Sequence, residues 1–292
     1  MKLATYYRDG QTRLGLVDGD SLIDLHTLCP EIPGDLRAAL VQGCDFQAAS
    51  RAAAAAPACS RMPLSQVRLA PLVPQPGKMI CLGLNYFDHA KEGGREKPEY
   101  PWFFLRCSSS LLGQGDAVTL PRVSDRLDYE AELAVVIGSR VPRHVRQADA
   151  LGHVFGYSCF NDVSVRDYQK RTPQWTIGKI FDGTGPLGPY LVTRDELPAG
   201  AGGLRIQCRV NGAVMQDAST GDMIWGVAET ISLLSEAVTL EPGDVIAMGT
   251  PAGVGQSRQP PVWLRAGDRV EVEIEGIGTL RNEVQLEAPA RV

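Results

Sequence analysis

The stretch Asp128-Tyr129-Glu130-Ala131-Glu132-Leu133-Ala134-Val135-Val136-Ile137 carries two carboxylates two residues apart. Side chains alternate along a strand, so Glu130 and Glu132 share one face, about 7 Å apart. Such a pair repels unless water solvates it or a cation bridges it, and hard cations such as Mg²⁺ prefer oxygen ligands. The same spacing recurs in Val270-Glu271-Val272-Glu273-Ile274-Glu275, where a polar outer strand face explains it. The first copy differs because it runs into the unalternating Leu133 to Ile137, the pattern of a strand buried on both faces. A third acid, Asp162, leaves the apolar stretch Val154 to Phe160 just before a predicted helix start. It equally suits a turn or cap, since Ser164 and Asp167 resemble a capping box. Three such carboxylates with open positions would suit Mg²⁺ or Mn²⁺.

Two further groupings can move protons or balance charge. His89 and Glu92 fall at i and i+3 of a short helical turn after a strand ending at Gly83. A carboxylate beside an imidazole orients it and raises its basicity, although an exposed helix gives the same spacing. Gly93-Gly94 would end that helix and supply a hinge for a lid. Lys179, amid glycines and apolar residues, is either a surface lysine or a partly buried one aimed at an anion. In Gly249-Thr250-Pro251-Ala252-Gly253-Val254-Gly255, backbone amides and Thr250 can hold a carboxylate; otherwise the segment is a turn.

The elements that must position these groups are mostly short strands. Met79 to Leu84, Leu133 to Ile137, Leu204 to Val210, Asp244 to Met248 and Arg269 to Glu275 read as strands cut by Gly/Pro turns. Ile224, Val227, Ile231 and Leu234 recur at helical spacing, predicting a helix over Met223 to Glu236. No regular β-α-β alternation exists, so a β-rich core with outer helices is expected, not a doubly wound parallel sheet. Asp9-Gly10 and Asp18-Gly19 predict hairpins, and Asp35 to Ala56 predicts a helix. Prolines 57, 63, 71, 74 and 76 then predict a linker after a small N-terminal domain over 1–70, with the catalytic domain over 71–292.

Composition removes other classes. The 292 residues carry 29 basic and 34 acidic side chains, a formal charge of -5 with no basic block, which argues against nucleic acid or an anionic membrane as partner. The first residues lack a signal-type apolar core, and no apolar run reaches bilayer-spanning length. Seven scattered cysteines without a Cys-x-x-Cys pair predict reduced thiols and a cytoplasmic location. Gly183 to Gly188 matches a dinucleotide string, but Pro186 and Pro189 stop the helix it needs. Neither a Gly-x-Ser-x-Gly nor a His-Glu-x-x-His string is present.

In this order the pieces resemble the fumarylacetoacetate hydrolase superfamily. The matching strings are Gly-Leu-Asn-Tyr-x-x-His-x-x-Glu at 83–92, Asp-Tyr-Glu-x-Glu-Leu-Ala-Val-Val-Ile-Gly at 128–138 and Asn-Asp-x-Ser-x-Arg-Asp-x-Gln at 161–169. Gly-Lys-x-Phe-Asp at 178–182, Glu-Pro-Gly-Asp-Val-Ile at 241–246 and Gly-Thr-Pro-x-Gly-Val-Gly at 249–255 continue them, and the match spans roughly Lys78 to Val284. The resemblance implies a mixed α+β fold with a β-roll core, peripheral helices and a small N-terminal α/β unit, usually as a homodimer. It implies Mg²⁺ or Mn²⁺ on Glu130, Glu132 and Asp162, a water-activating pair His89 and Glu92, and an active-site Lys179. Arg166, Gln169, Thr250, Tyr86 and Arg106 fall where substrate contacts are expected. Leu84 departs from the arginine of acylpyruvase-like members, and Arg106 from a common lysine.

The expected activity is hydrolysis of a C–C bond in a 1,3-diketo acid of the acylpyruvate or fumarylpyruvate type. The metal would polarise the 2-oxo acid while His89 activates water. Two alternatives use the same residues differently. One is decarboxylation, isomerisation or tautomerisation of an oxo acid or hydroxydiene acid; the other is a non-catalytic, metal-bound dimer that binds small acids.

Overall fold

A computed structural model describes residues 1–57 and 60–289; Cys59, one of the seven cysteines, lies outside them. The N-terminal alternation forms Lys2–Arg8 and Gln11–Asp18, paired antiparallel across Asp9-Gly10. Both turn residues have positive φ, 52° and 75°, as a two-residue hairpin turn requires. The next hairpin turns at Gly19-Asp20, one position beyond the expected Asp18-Gly19, because Asp18 pairs with Ser21.

The single helix expected over 35–56 is two, Leu36–Val41 and Phe46–Ala54. Each has its own cap: the Asp35 and Asp45 carboxylates accept the Ala38 and Ala48 amides. Gly43, at φ 68°, turns the chain between them. The proline-rich stretch predicted as a linker is packed against the fold. Leu72 and Val73 are fully buried, and Thr5 Oγ1 donates to the Leu72 carbonyl at 2.6 Å.

Two sheets with outer helices make the mixed α+β core. The larger runs, edge to edge, through Arg61–Pro63, Ser21–Asp24, Gln11–Asp18, Lys2–Arg8, Gly185–Thr193, Val154–Asn161, Ala131–Ile137, Val245–Ala247, Met79–Gly83 and Trp102–Leu105. Lys2–Arg8 pairs with Gly185–Thr193, so residues 1–70 extend the sheet that carries the acidic cluster. The second sheet orders Ala213–Ser219, Arg205–Val210, Arg269–Ile274, Gly278–Leu286 and Val118–Leu120.

Ala131–Ile137 is buried along its whole length, as the unalternating sequence predicted. Leu133, Val135 and Ile137 pack with Ile206, Cys208, Val270 and Val272 of the second sheet. Ala134 and Val136 join Phe160, Leu14, Leu36 and Phe46 on the other face. Glu271 and Glu273, the second Glu-x-Glu, instead pair with Arg209 at 3.0 and 2.6 Å on a solvated face. The predicted helix over 223–236 forms at Val227–Ala237. Among the described residues no helix is long and apolar enough to cross a membrane.

Candidate active site

Strand register brings the acids together. Ala131 pairs with Asn161 and Glu132 with Phe160, so Glu130 and Asp162 meet where two neighbouring strands end. The Asp162 amide donates to the Glu130 carbonyl at 2.9 Å, and Asn161 Oδ1 accepts the Glu130 amide at 3.0 Å. Glu130, Glu132 and Asp162 are all buried, with one carboxylate oxygen of each within 4.8 Å of the others. The capping box expected beside Asp162 does not form. Ser164 Oγ donates to the Asp162 carbonyl, Asp167 accepts Ser124 Oγ, and the short helix Arg166–Gln169 has no side-chain cap.

Buried cations meet two of these acids. Lys179 Nζ lies 2.5 Å from both Glu130 Oε2 and Asp162 Oδ2, and the lysine side chain is 2% exposed. Arg166 Nη2 lies 2.7 Å from Glu130 Oε1, while its Nε donates to Asp128 at 2.8 Å. Arg106 Nη1 donates to Asp162 Oδ1 at 2.5 Å. Burial opposes charge on Glu130, but Arg166, Lys179 and His89 outweigh it and hold the carboxyl below its usual range. Burial likewise opposes the Lys179 ammonium, yet Asp162 and Glu130 raise its pKa, so it stays charged.

Glu132 differs. It accepts the Gly249 amide at 3.0 Å, and among the described residues no basic side chain pairs with it. Burial, then the charges of Asp162 and Glu130, raise its carboxyl well above the usual range. Three converging hard-oxygen groups, one lacking a cation, fit a divalent ion such as Mg²⁺ or Mn²⁺.

The wall above the acids is the helix Phe87–Glu92, which ends at Gly93 with Gly94 at φ 70°. His89 Nδ1 lies 2.7 Å from Glu92 Oε1, and Glu92 Oε2 accepts the Gly253 amide at 2.9 Å. The loop after Val245–Ala247 therefore does hold carboxylates, and they are the protein's own. Gly249 serves Glu132, Gly253 serves Glu92, and Gly255 and Gln256 serve Asp128 at 2.8 and 3.0 Å.

His89, Glu92, Glu130, Glu132, Arg166, Gln169, Lys179 and Thr250 line one cavity of about 530 Å³. Asp162 lies beneath it. Tyr86 and Arg106, expected as substrate contacts, do not line it. Tyr86 is buried at the N-cap of the helix Phe87–Glu92, its backbone bridged to Met223. Arg106 is consumed behind Asp162, donating also to Ser110 Oγ, the Val163 carbonyl and Thr184 Oγ1.

Sequence reasoning assigned no role to Asp128, Asn85 or Gln216. Asn85 is fully buried and anchors the chain just before the helix Phe87–Glu92, bonding the Trp225 amide and carbonyl and the Met248 carbonyl. Gln216 accepts the Ala131 amide and donates to Thr250 Oγ1 at 2.8 Å. Asp128 and Asn85 stand inside the matched strings, where a signal existed; Gln216, on a strand of the second sheet, had none.

The model of the fumarylacetoacetate (FAA) hydrolase C-terminal family matches residues 78–285. A mitochondrial oxaloacetate tautomerase of Rattus norvegicus is 42% identical over 267 residues, covering 91% of this chain and 84% of that protein. An oxaloacetate tautomerase of Bacillus subtilis (strain 168) is 40% identical, covering 97% of this chain and 100% of its own. Maleylpyruvate hydrolase from Sphingobium sp. SYK-6, solved with manganese(II) and pyruvate, superposes with a TM-score of 0.81 at 32% identity, covering 99% and 100% of the two chains. The likeness extends through both sheets and the segments that carry the acids, the His89 helix and the lysine. The chain belongs to the fumarylacetoacetate hydrolase superfamily.

Proposed function

We propose that this protein is a metal-dependent tautomerase of a short 2-oxo diacid of the oxaloacetate type. The observation that carries the reading is the His89–Glu92 pair, fixed by Gly253 on the wall of a cavity whose floor is the acidic cluster. The tautomerase names of relatives 42% and 40% identical favour proton transfer over the hydrolysis expected from sequence.

A divalent cation held by Glu130, Glu132 and Asp162 would polarise the 2-oxo acid end of the substrate and acidify its C3 hydrogens. His89, with its Nδ1 hydrogen directed at Glu92, keeps Nε2 as the proton acceptor. In the keto-to-enol direction Nε2 takes a proton from C3, and the imidazolium so formed gives a proton back to the substrate oxygen, which completes the enol and restores neutral His89. Lys179, kept charged, and Arg166 balance the negative charge on that oxygen in between. Gln169 and Thr250, also on the cavity wall, orient the acid end through hydrogen bonds. A homodimer, the family's usual assembly, belongs to this reading.

Hydrolysis of an acylpyruvate is the second reading, favoured by the likeness to maleylpyruvate hydrolase and by an intact pair able to activate water. One experiment separates them. The ultraviolet decay of the oxaloacetate enol is followed with Mn²⁺ and with EDTA, beside acetylpyruvate and a pyruvate assay. Metal-dependent acceleration of enol decay without pyruvate release supports the tautomerase. Loss of the acetylpyruvate signal with pyruvate release favours the hydrolase, and pyruvate from oxaloacetate alone marks a decarboxylase.

A further inference from the structure

Of the basic side chains lining the cavity, Arg166 and Lys179 pair with carboxylates, whereas Arg95, Lys170 and Arg258 have none within ion-pairing distance among the described residues, and of these three the two arginines are held by contacts with their neighbours. Arg258 Nε donates to Tyr129 Oη at 3.1 Å and its Nη2 to the Met215 carbonyl at 2.6 Å. Tyr129 Oη in turn donates to the Gly253 carbonyl at 3.0 Å, so the guanidinium is aimed by neutral groups alone. Arg95 lies over the rings of Trp102 and Trp175, 4.9 and 5.9 Å from their centroids. Among the described residues neither arginine has a carboxylate within ion-pairing distance, and both line the cavity that holds the acidic cluster. Beside Arg258, the Gln256 side-chain oxygen is buried without a hydrogen-bond partner.

A half-buried guanidinium fixed by two neutral acceptors keeps its charge uncompensated, and a charge withdrawn from water needs an opposite one. Planar donors left free on a guanidinium match a carboxylate in two-point contact. Stacking on two indoles holds Arg95 in place without using its donors. The floor already provides for one acid end of a substrate. We infer that Arg258 and Arg95 form a second anion subsite, which takes the distal carboxylate of a dicarboxylate substrate and rejects 2-oxo acids with an apolar tail. The inference rests on the tautomerase reading for its reaction but on the cavity wall for its residues.

The test uses Arg258→Gln and Arg95→Gln in the full-length, Mn²⁺-loaded protein, with oxaloacetate and the monocarboxylate phenylpyruvate as paired substrates. Each variant is expected to raise the KM for oxaloacetate about tenfold, with kcat changed far less. The oxaloacetate-to-phenylpyruvate ratio of kcat/KM falls by a similar factor. An unchanged ratio, or equal loss on both substrates, overturns the subsite. Among the described residues the Arg95 side chain makes no hydrogen bond within the fold, so its variant keeps the test alive if Arg258→Gln fails to fold. Should the wild-type protein turn over neither substrate, calorimetry separates the two claims. Weaker oxaloacetate binding by the variants with unchanged oxalate binding keeps the subsite and discards the reaction; unchanged binding of both discards the subsite.

Discussion

Glu92 and Gly253 stand 161 positions apart in sequence, yet the Gly253 amide donates to Glu92 Oε2 at 2.9 Å. The helix Phe87–Glu92 is thereby tied to the loop beyond Val245–Ala247, and the carboxylate that orients His89 is itself held. Glu92 is a positioning residue, and Glu92→Gln keeps an acceptor for Gly253 while removing the charge beside the imidazole. The expected result is a kcat lowered about 10- to 100-fold with Mn²⁺ affinity unchanged. KM should change far less than kcat, because the imidazole stays on the cavity wall but loses the group that orients it. A kcat that matches the wild type would remove Glu92 from this role.

His89→Ala is expected to lower kcat by about 10²-fold or more while leaving Mn²⁺ binding intact, since the imidazole touches no acid of the cluster other than through space. Single-turnover enol decay and Mn²⁺ electron paramagnetic resonance on the same sample check both halves. Normal kcat in this variant means that another group carries the proton.

Lys179 holds an oxygen of Glu130 and one of Asp162, two of the three proposed metal ligands. Its ammonium and a divalent ion therefore compete for the same negative charge. Lys179→Gln should bind Mn²⁺ several-fold more tightly than the wild type and yet lose about 10²-fold in kcat, because substrate charge is no longer balanced. Titration calorimetry beside steady-state kinetics measures both. Weaker Mn²⁺ binding would show that Lys179 supports the ion rather than competing with it.

Most of this site was legible because it is built on strand period and local strings. Glu130 and Glu132 share a face by alternation alone, and the uninterrupted Leu133 to Ile137 distinguished them from Glu271 and Glu273. His89 and Glu92 meet because three positions make about one helical turn. What was not legible depends on contacts between distant segments. Arg106 looks like a substrate contact from its string, but only the approach of Asp162 from another strand shows that it is consumed. The break at Gly43 was written in the sequence, with Asp35 and Asp45 each placed to cap a helix, yet alanine-rich propensity on both sides masked it. Gln216 has no local pattern, because its partners Ala131 and Thr250 come from segments far away in sequence.

Glu132 sets a pH dependence whose sign follows from its raised carboxyl pKa. A proton is bound more tightly in the folded, metal-free protein than in the unfolded chain. Its stabilising contribution is therefore complete below the unfolded value, about 4.3, and is lost as pH rises through the raised folded value. With EDTA present, the Tm contribution from this group should decline across that window. The increment in Tm produced by Mn²⁺ should grow over the same window, because the ion replaces the proton. Glu132→Gln should flatten the metal-free decline and weaken Mn²⁺ binding. A Mn²⁺ increment independent of pH would contradict the proton exchange.

Gly249 and Gly10 share the left-handed backbone, at φ 86° and 75°, but not their surroundings. A Cβ on Gly10 would meet nothing within 4 Å, whereas one on Gly249 would lie 2.7 Å from Asn85 Cβ and 3.2 Å from the Leu82 carbonyl oxygen. Gly10→Ala should cost about 1–2 kcal/mol, the backbone strain alone, and leave the site untouched. Gly249→Ala carries the same strain and must also displace Asn85, whose three hydrogen bonds anchor the chain before the helix Phe87–Glu92, or shift the amide that Glu132 accepts. It should therefore lose clearly more stability than Gly10→Ala in denaturant unfolding and bind Mn²⁺ more weakly. Equal losses in the two variants, with Mn²⁺ affinity preserved, would mean that the Asn85–Gly249 contact does not hold the carboxylate in place.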